Sequence, residues 1–163
     1  MSEKLKVAVY CRLEMVNEAA MTAFVMQRNH YISFIKAQED WEFAGIYLDY
    51  ERDDKMRSQP ELERLLESCA EGKVDFIITR SISRLHKNMA NAVSIARKLL
   101  ELPSPVGIYF EDTKMNTLDE KNDVLLSLLK FYAQEESRTK NKRLPRGQEY
   151  YHFPIKRKEA VNQ

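Results

Sequence analysis

Cysteine, glycine and proline are all scarce in this 163-residue chain, at two, four and five residues. Two cysteines cannot build a disulfide framework. Cys11 and Cys69 both fall in apolar runs, so buried free thiols in a reducing, cytoplasmic setting are expected. Gly45, Gly72, Gly107 and Gly147 stand alone, and without a Gly-rich loop, nucleotide binding of the P-loop or Rossmann kind is not expected. His30, His86 and His152 share no ligand spacing with each other or with a cysteine, so no metal is expected. No apolar run approaches ~18 residues, and "MSEKLKVAVY" lacks the apolar centre of a signal peptide; neither membrane span nor leader is expected. Net charge is only +1, so any attraction to nucleic acid must come from local clustering.

What is present suits one globular domain. Hydrophobic residues make up 44% of the chain and charged residues 31%, and a chain of this length can bury roughly two-thirds of its unfolded surface. Four short runs rich in Val, Ile, Tyr and Phe read as strands: "KVAVYC" (6–11), "FAGIYLDY" (43–50), "VDFIITRS" (74–81) and "VGIYFEDT" (106–113). They lack strict alternation, as expected where both faces of a parallel sheet are covered. Helical spacing lies between them. Residues 20–38 set Met21, Val25, Ile32 and Ile35 on one stripe, and residues 60–70 set Leu62, Leu65, Leu66 and Cys69 together behind Pro60. Residues 88–101 repeat the pattern through Met89, Ala92, Val93, Ala96 and Leu100.

This alternation predicts an α/β three-layer sandwich with a mostly parallel sheet of four or five strands. The expected organisation is a core over 1–117, a long helix over 118–143 and a flexible basic tail over 144–163. Pro145 cannot continue a helix, and Arg138, Lys140, Lys142, Arg143, Arg146, Lys156, Arg157 and Lys158 face only Glu149 and Glu159 after position 137. Leu125, Leu126, Leu128, Leu129, Phe131 and Tyr132 wrap more than one face of the long helix, which suits pairing with a second copy.

The informative residues are cations. Arg12 leaves the first strand, while Arg80, Arg84 and Lys87 cluster after the third, where ligands collect in folds of this kind. The spacing of Arg84 and Lys87 places both on one face of a helix start, which favours an anion. Guanidinium groups grip phosphate oxygens bidentately at any working pH. Spacing alone leaves a phosphate site and an ordinary charged surface both open. Asp49, Asp53 and Asp54 could form a carboxylate site of the response-regulator kind, but Arg52, Lys55 and Arg57 among them favour a solvated loop.

The ordered series "VAVYCRL", "QRNHYISFIKAQEDWEFAGIYLDYERD", "PELERLLESCAEGKVDFIITRSISRLHKN" and "LLKFYAQEESR" resembles the catalytic domain of the resolvase/invertase serine recombinases, the large ones above all, over nearly all of 5–143. The resemblance implies a sheet in flavodoxin-like order, double-stranded DNA as substrate, a 5′-phosphoserine intermediate, assembly as a dimer or tetramer, and no metal or nucleotide cofactor. It implies that Arg12 and Arg84 bind phosphate, that Gln27 matches the first-helix glutamine, and that Glu136 is the acid of the long dimer helix carrying Leu125, Leu128, Leu129 and Tyr132. The departures fall on the site. Glu14 occupies the nucleophile position, Lys87 and Gln59 stand where arginines are usual, and the Ser-Gly step after the second strand is missing. The expectation is a recombinase-type domain that has lost its cutting serine. The alternative is a non-catalytic module that binds DNA or a partner.

Overall fold

The computed structural model describes residues 3–50 and 59–119, with Asp123, Ser127 and Lys130 beyond them. Strand β1 (Leu5–Leu13) is an interior strand of the sheet and is apolar on both faces. Val7, Val9 and Cys11 pack with Phe24, Tyr31 and Ile35 of helix α1 (Glu18–Lys36), while Ala8 and Tyr10 join the core on the other face. That two-sided burial explains why the run shows no polar alternation. Strand β2 (Trp41–Tyr50), helix α2 (Pro60–Ala70) and strand β3 (Phe76–Thr79) follow. Then come the short helix α3 (Ile82–Leu85), helix α4 (Met89–Leu100) and strands β4 (Gly107–Phe110) and β5 (Met115–Asn116).

The sheet order is β2-β1-β3-β4-β5, with β1 to β4 parallel and β5 antiparallel to β4. Helix α1 covers one face; Leu62, Leu65 and Cys69 of α2 and Val93, Ala96 and Leu99 of α4 cover the other. This is the expected three-layer sandwich in flavodoxin-like order. Both cysteines are buried and free. Between Phe43 and Gly45 the β1–β2 register slips by one residue, a bulge that Gly45 absorbs with φ of +123°. At Gly107 a Cβ would lie 2.4 Å from Leu118 Cγ, so only glycine lets the chain after β5 fold back over β4.

Three expectations need correction. Met21 and Val25 do not face the core: they are 37% and 38% exposed, and the buried residues of α1 are Phe24, Tyr31 and Ile35. Arg84 and Lys87 do not share a helix start. His86 is extended (φ −162°, ψ 141°) and ends α3, leaving Arg84 at its carbonyl end and Lys87 in the bend before α4. Asp49 is not a solvated loop residue, being only 5% exposed at the end of β2. Of the long helix expected over 118–143, Ser127 and Lys130 are helical, with the Ser127 N–H donating to Asp123 O at 3.0 Å. Leu125, Leu128, Leu129, Tyr132, Glu136, Asp53, Asp54 and the tail 144–163 lie outside the described residues. Among the described residues no helix is long and apolar enough to cross a membrane.

Candidate functional site

Winding reverses between β1 and β3, so the carboxyl ends of these strands diverge toward helices on opposite faces and leave a crevice. The crevice is a cleft of about 340 Å³ bounded on one side by α1, from Ala20 to Tyr31. Arg12, Glu14, Gln27, Arg80 and Arg84 all line it, although they come from β1, the following turn, α1, the end of β3 and α3. Lys87 is exposed and is not part of the lining. The apolar part of the lining is Leu13, Met15, Ala20, Ala23 and Phe24.

Helix α3 is a single turn, too short to satisfy its own backbone, and the site is organised around that deficit. Ser81 caps its amino end by accepting from the Arg84 N–H at 3.2 Å. At the carbonyl end, Arg12 donates from Nη2 to Ser83 O at 2.6 Å and from Nε to Arg84 O at 3.2 Å. Gln59 Nε2 takes Leu85 O at 2.9 Å. Arg84 returns the contact, its Nη1 reaching Arg12 O at 3.4 Å and Glu14 Oε2 at 3.3 Å. The Arg12 side chain is thus a scaffold as well as a charge; it is 5% exposed, whereas the Glu14 and Arg84 side chains are 60% and 36% exposed.

A second network lies behind the first. Tyr10 Oη donates to Asp49 Oδ2 at 2.7 Å and accepts from Gln59 Nε2 at 2.8 Å. Asp49 in turn accepts from the backbone N–H groups of Glu61 and Leu62 at 2.9 and 3.0 Å, capping α2 from a neighbouring strand. Gln59, at the cap position, has no side-chain capping bond of its own. Burial pushes the Tyr10 hydroxyl well above its ordinary value, with Asp49 adding to the effect. Tyr31, which also lines the cleft, donates to Glu111 Oε1 at 2.5 Å and is raised by burial and then by the Glu111 charge. Cys11 is pushed up to about 12, chiefly by burial, and stays a thiol. His86 is lowered by burial and by the Arg12 charge, and its Nδ1 accepts from the Asn88 N–H at 3.0 Å.

Among the described residues, no serine or threonine lines the cleft; its hydroxyls are those of Tyr10 and Tyr31, both directed at carboxylates. Among the described residues there is also no cluster of three or more His, Cys, Asp or Glu able to hold a metal. Sequence reasoning passed over Tyr31, Glu111 and the structural roles of Tyr10 and Asp49. Tyr31 was within reach: it lies four residues after Gln27 and therefore on the same face of α1. Glu111 and Asp49 act across 80 and 12 residues of sequence, and no local pattern marks them.

The family described as "Resolvase, N terminal domain" matches residues 7–152. The chain belongs to the resolvase family. Two solved structures share the fold of this resolvase-family domain. One is a resolvase family site-specific recombinase from Streptococcus pneumoniae, at 21% identity and a TM-score of 0.64, covering 85% of this chain and 91% of that one. The other is the N-terminal catalytic domain of TP901-1 integrase, at 15% identity and a TM-score of 0.60, covering 82% of this chain and 98% of that one. No curated protein matches the chain. The serine recombinase catalytic-domain fold implied by the motif series is the fold observed.

Proposed function

We propose that this resolvase-family domain grips the DNA backbone and assembles with further copies but does not cut. One observation carries the reading: at the position where the resemblance puts the attacking serine stands Glu14, ion-paired with Arg84. A carboxylate is a poor substitute. The acyl phosphate it would form hydrolyses readily, whereas strand exchange needs a stable, reversible ester. Removing the nucleophile from a concerted site costs on the order of 10⁶ in rate. Glu14 also opposes the substrate electrostatically. Two like charges at ~4 Å interact by about 4 kcal/mol at an effective dielectric near 20, and open solvent reduces this to about 1 kcal/mol or less.

In this reading Arg80, Arg84 and Lys87 contact phosphates, Gln27 orients the backbone, and Arg12 holds α3 in place while adding its charge to the site. The apolar residues Leu125, Leu128, Leu129 and Tyr132, with Glu136, form the contact between copies in a dimer or tetramer. Double-stranded DNA is the partner and the cytoplasm the setting; both come from the family and the cysteine usage. The test uses suicide DNA substrates that trap a covalent protein–DNA link. The unaltered chain gives no adduct, Glu14→Ser gives partial recovery, and Glu14→Gln tightens duplex binding by about fivefold, the effect of ~1 kcal/mol. An adduct formed by the unaltered chain would end the non-cutting reading.

A further inference from the structure

The same cleft has a chemistry that a duplex backbone does not use. About 340 Å³ is the volume of a small-molecule pocket, and its lining joins the apolar side chains of Met15, Ala23 and Phe24 to the cations Arg12, Arg80 and Arg84. We propose that the cleft is a nucleoside phosphomonoester pocket, with the phosphate on Arg80 and Arg84 and the sugar and base laid over Met15, Ala23 and Phe24. The inference rests on reading the cleft as a phosphate site and adds the occupant.

Three observations carry it. First, the arginines are unequal. Arg12 directs Nε and Nη2 at the carbonyls of α3, and Arg84 holds Glu14. Arg80 is exposed on the cleft wall and, among the described residues, its guanidinium makes no hydrogen bond or ion pair. Glu111 already accepts from Tyr31. Second, the phosphate must displace the Glu14 carboxylate from Arg84. A phosphodiester brings one negative charge, no more than Glu14 does. A phosphomonoester brings about −1.5 to −2 and three acceptor oxygens, enough to engage both Arg80 and Arg84. Glu14 is itself 60% exposed and can yield by swinging into solvent. Third, Met15 is 59% exposed and Ala23 is exposed on α1 next to the buried Phe24, and all three line the cleft. An aromatic base covers this surface and meets the thioether of Met15.

The ligand has two natural sources, a free mononucleotide and the 5′-phosphorylated end of a DNA strand. Calorimetric titration of the full chain with dAMP, inorganic phosphate and deoxyadenosine tests the pocket. The expected result is dAMP bound about tenfold more tightly than either fragment, the effect of roughly 55 Å² of apolar surface leaving water. Arg80→Gln weakens dAMP by about tenfold, as for a lost charge-assisted hydrogen bond. Ala23→Phe fills the cleft from an exposed helix position and abolishes binding, with circular dichroism confirming that the fold is kept. Binding of dAMP no tighter than that of phosphate, or unaltered by Ala23→Phe, overturns the proposal. Short single strands with and without a 5′-phosphate then separate the sources: tighter binding of the phosphorylated strand than of dAMP assigns the strand end, and the reverse assigns the free nucleotide. Duplex retention is measured in parallel. Duplex binding without dAMP binding removes the pocket and leaves the DNA-gripping reading; dAMP binding without duplex binding does the opposite.

Discussion

Asp112 lies in the turn after β4, its backbone N–H bound to Arg80 O at 2.9 Å, while its side-chain Oδ1 has no hydrogen-bond partner. Burial raises its pKa above the ordinary carboxylate range, only partly opposed by nearby N–H groups and Arg80. A carboxyl raised on folding contributes fully below its unfolded pKa, and that contribution is lost as pH rises through the folded value. At neutral pH the charged side chain therefore costs stability. Asp112→Asn is expected to raise the melting temperature at pH 7, by about 2–4 °C for each kcal/mol recovered in a chain of this size. The gain should shrink as pH falls through the acid range, because the raised native carboxyl takes up its proton before an ordinary carboxylate does. Thermal melts across that range check it, and a gain independent of pH contradicts the burial argument.

Elements here are held at their ends by residues from other elements, and Asp49 is the best example. Asp49→Ala removes the acceptor for two backbone N–H groups of α2 and for the Tyr10 hydroxyl. The expected cost is about 3 kcal/mol, roughly 1 for the cap and the rest for the buried donors left unpaired. Asp49→Asn keeps one acceptor oxygen and should lose less. Urea unfolding measures both, as a lower midpoint at unchanged slope; equal stability of Asp49→Ala and the parent would exclude the cap. The same feature explains which parts of the site sequence reading could reach. Arg12, Gln27, Arg80 and Arg84 were legible because each sits at a strand end or on a helix face, where local pattern suffices. Asp49 was misread because the mixed charges around it describe a loop, while its partners lie on the next helix. Lys87 was misplaced because nothing local marks His86 as extended. On α1 the spacing located the helix but not its phase: Met21 and Val25 are apolar residues that remain at the surface, and Phe24 and Tyr31 take the core positions.

At the scale of the whole molecule, the layering was legible and the strand order was not. Val- and Ile-rich runs broken by Pro60 and Gly72 allow little besides alternating βα units with right-handed crossovers, but several strand orders satisfy that rule, and the order came with the family resemblance. Charge is the property that only the whole chain decides. With 26 basic and 25 acidic residues there is no long-range pull, so duplex affinity depends on how many cations reach phosphates. If Arg80, Arg84 and Lys87 alone do so, log K should fall with log salt at a slope of about −2.7. If the eight basic residues from Arg138 to Lys158 join them, the slope should approach about −10. Filter binding between about 50 and 200 mM salt distinguishes these cases, and a flat response rules out phosphate contact by either group.

The clasp between Arg12 and the one-turn helix α3 also bears on how mutants of this domain should be interpreted. Shortening that side chain would erase a charge and, in the same stroke, release two carbonyls that hold Arg84 in register. Any fall in DNA affinity after Arg12→Ala would thus mix two causes. Arg12→Lys keeps the charge but not the fork, and its comparison with Arg84→Lys separates architecture from attraction.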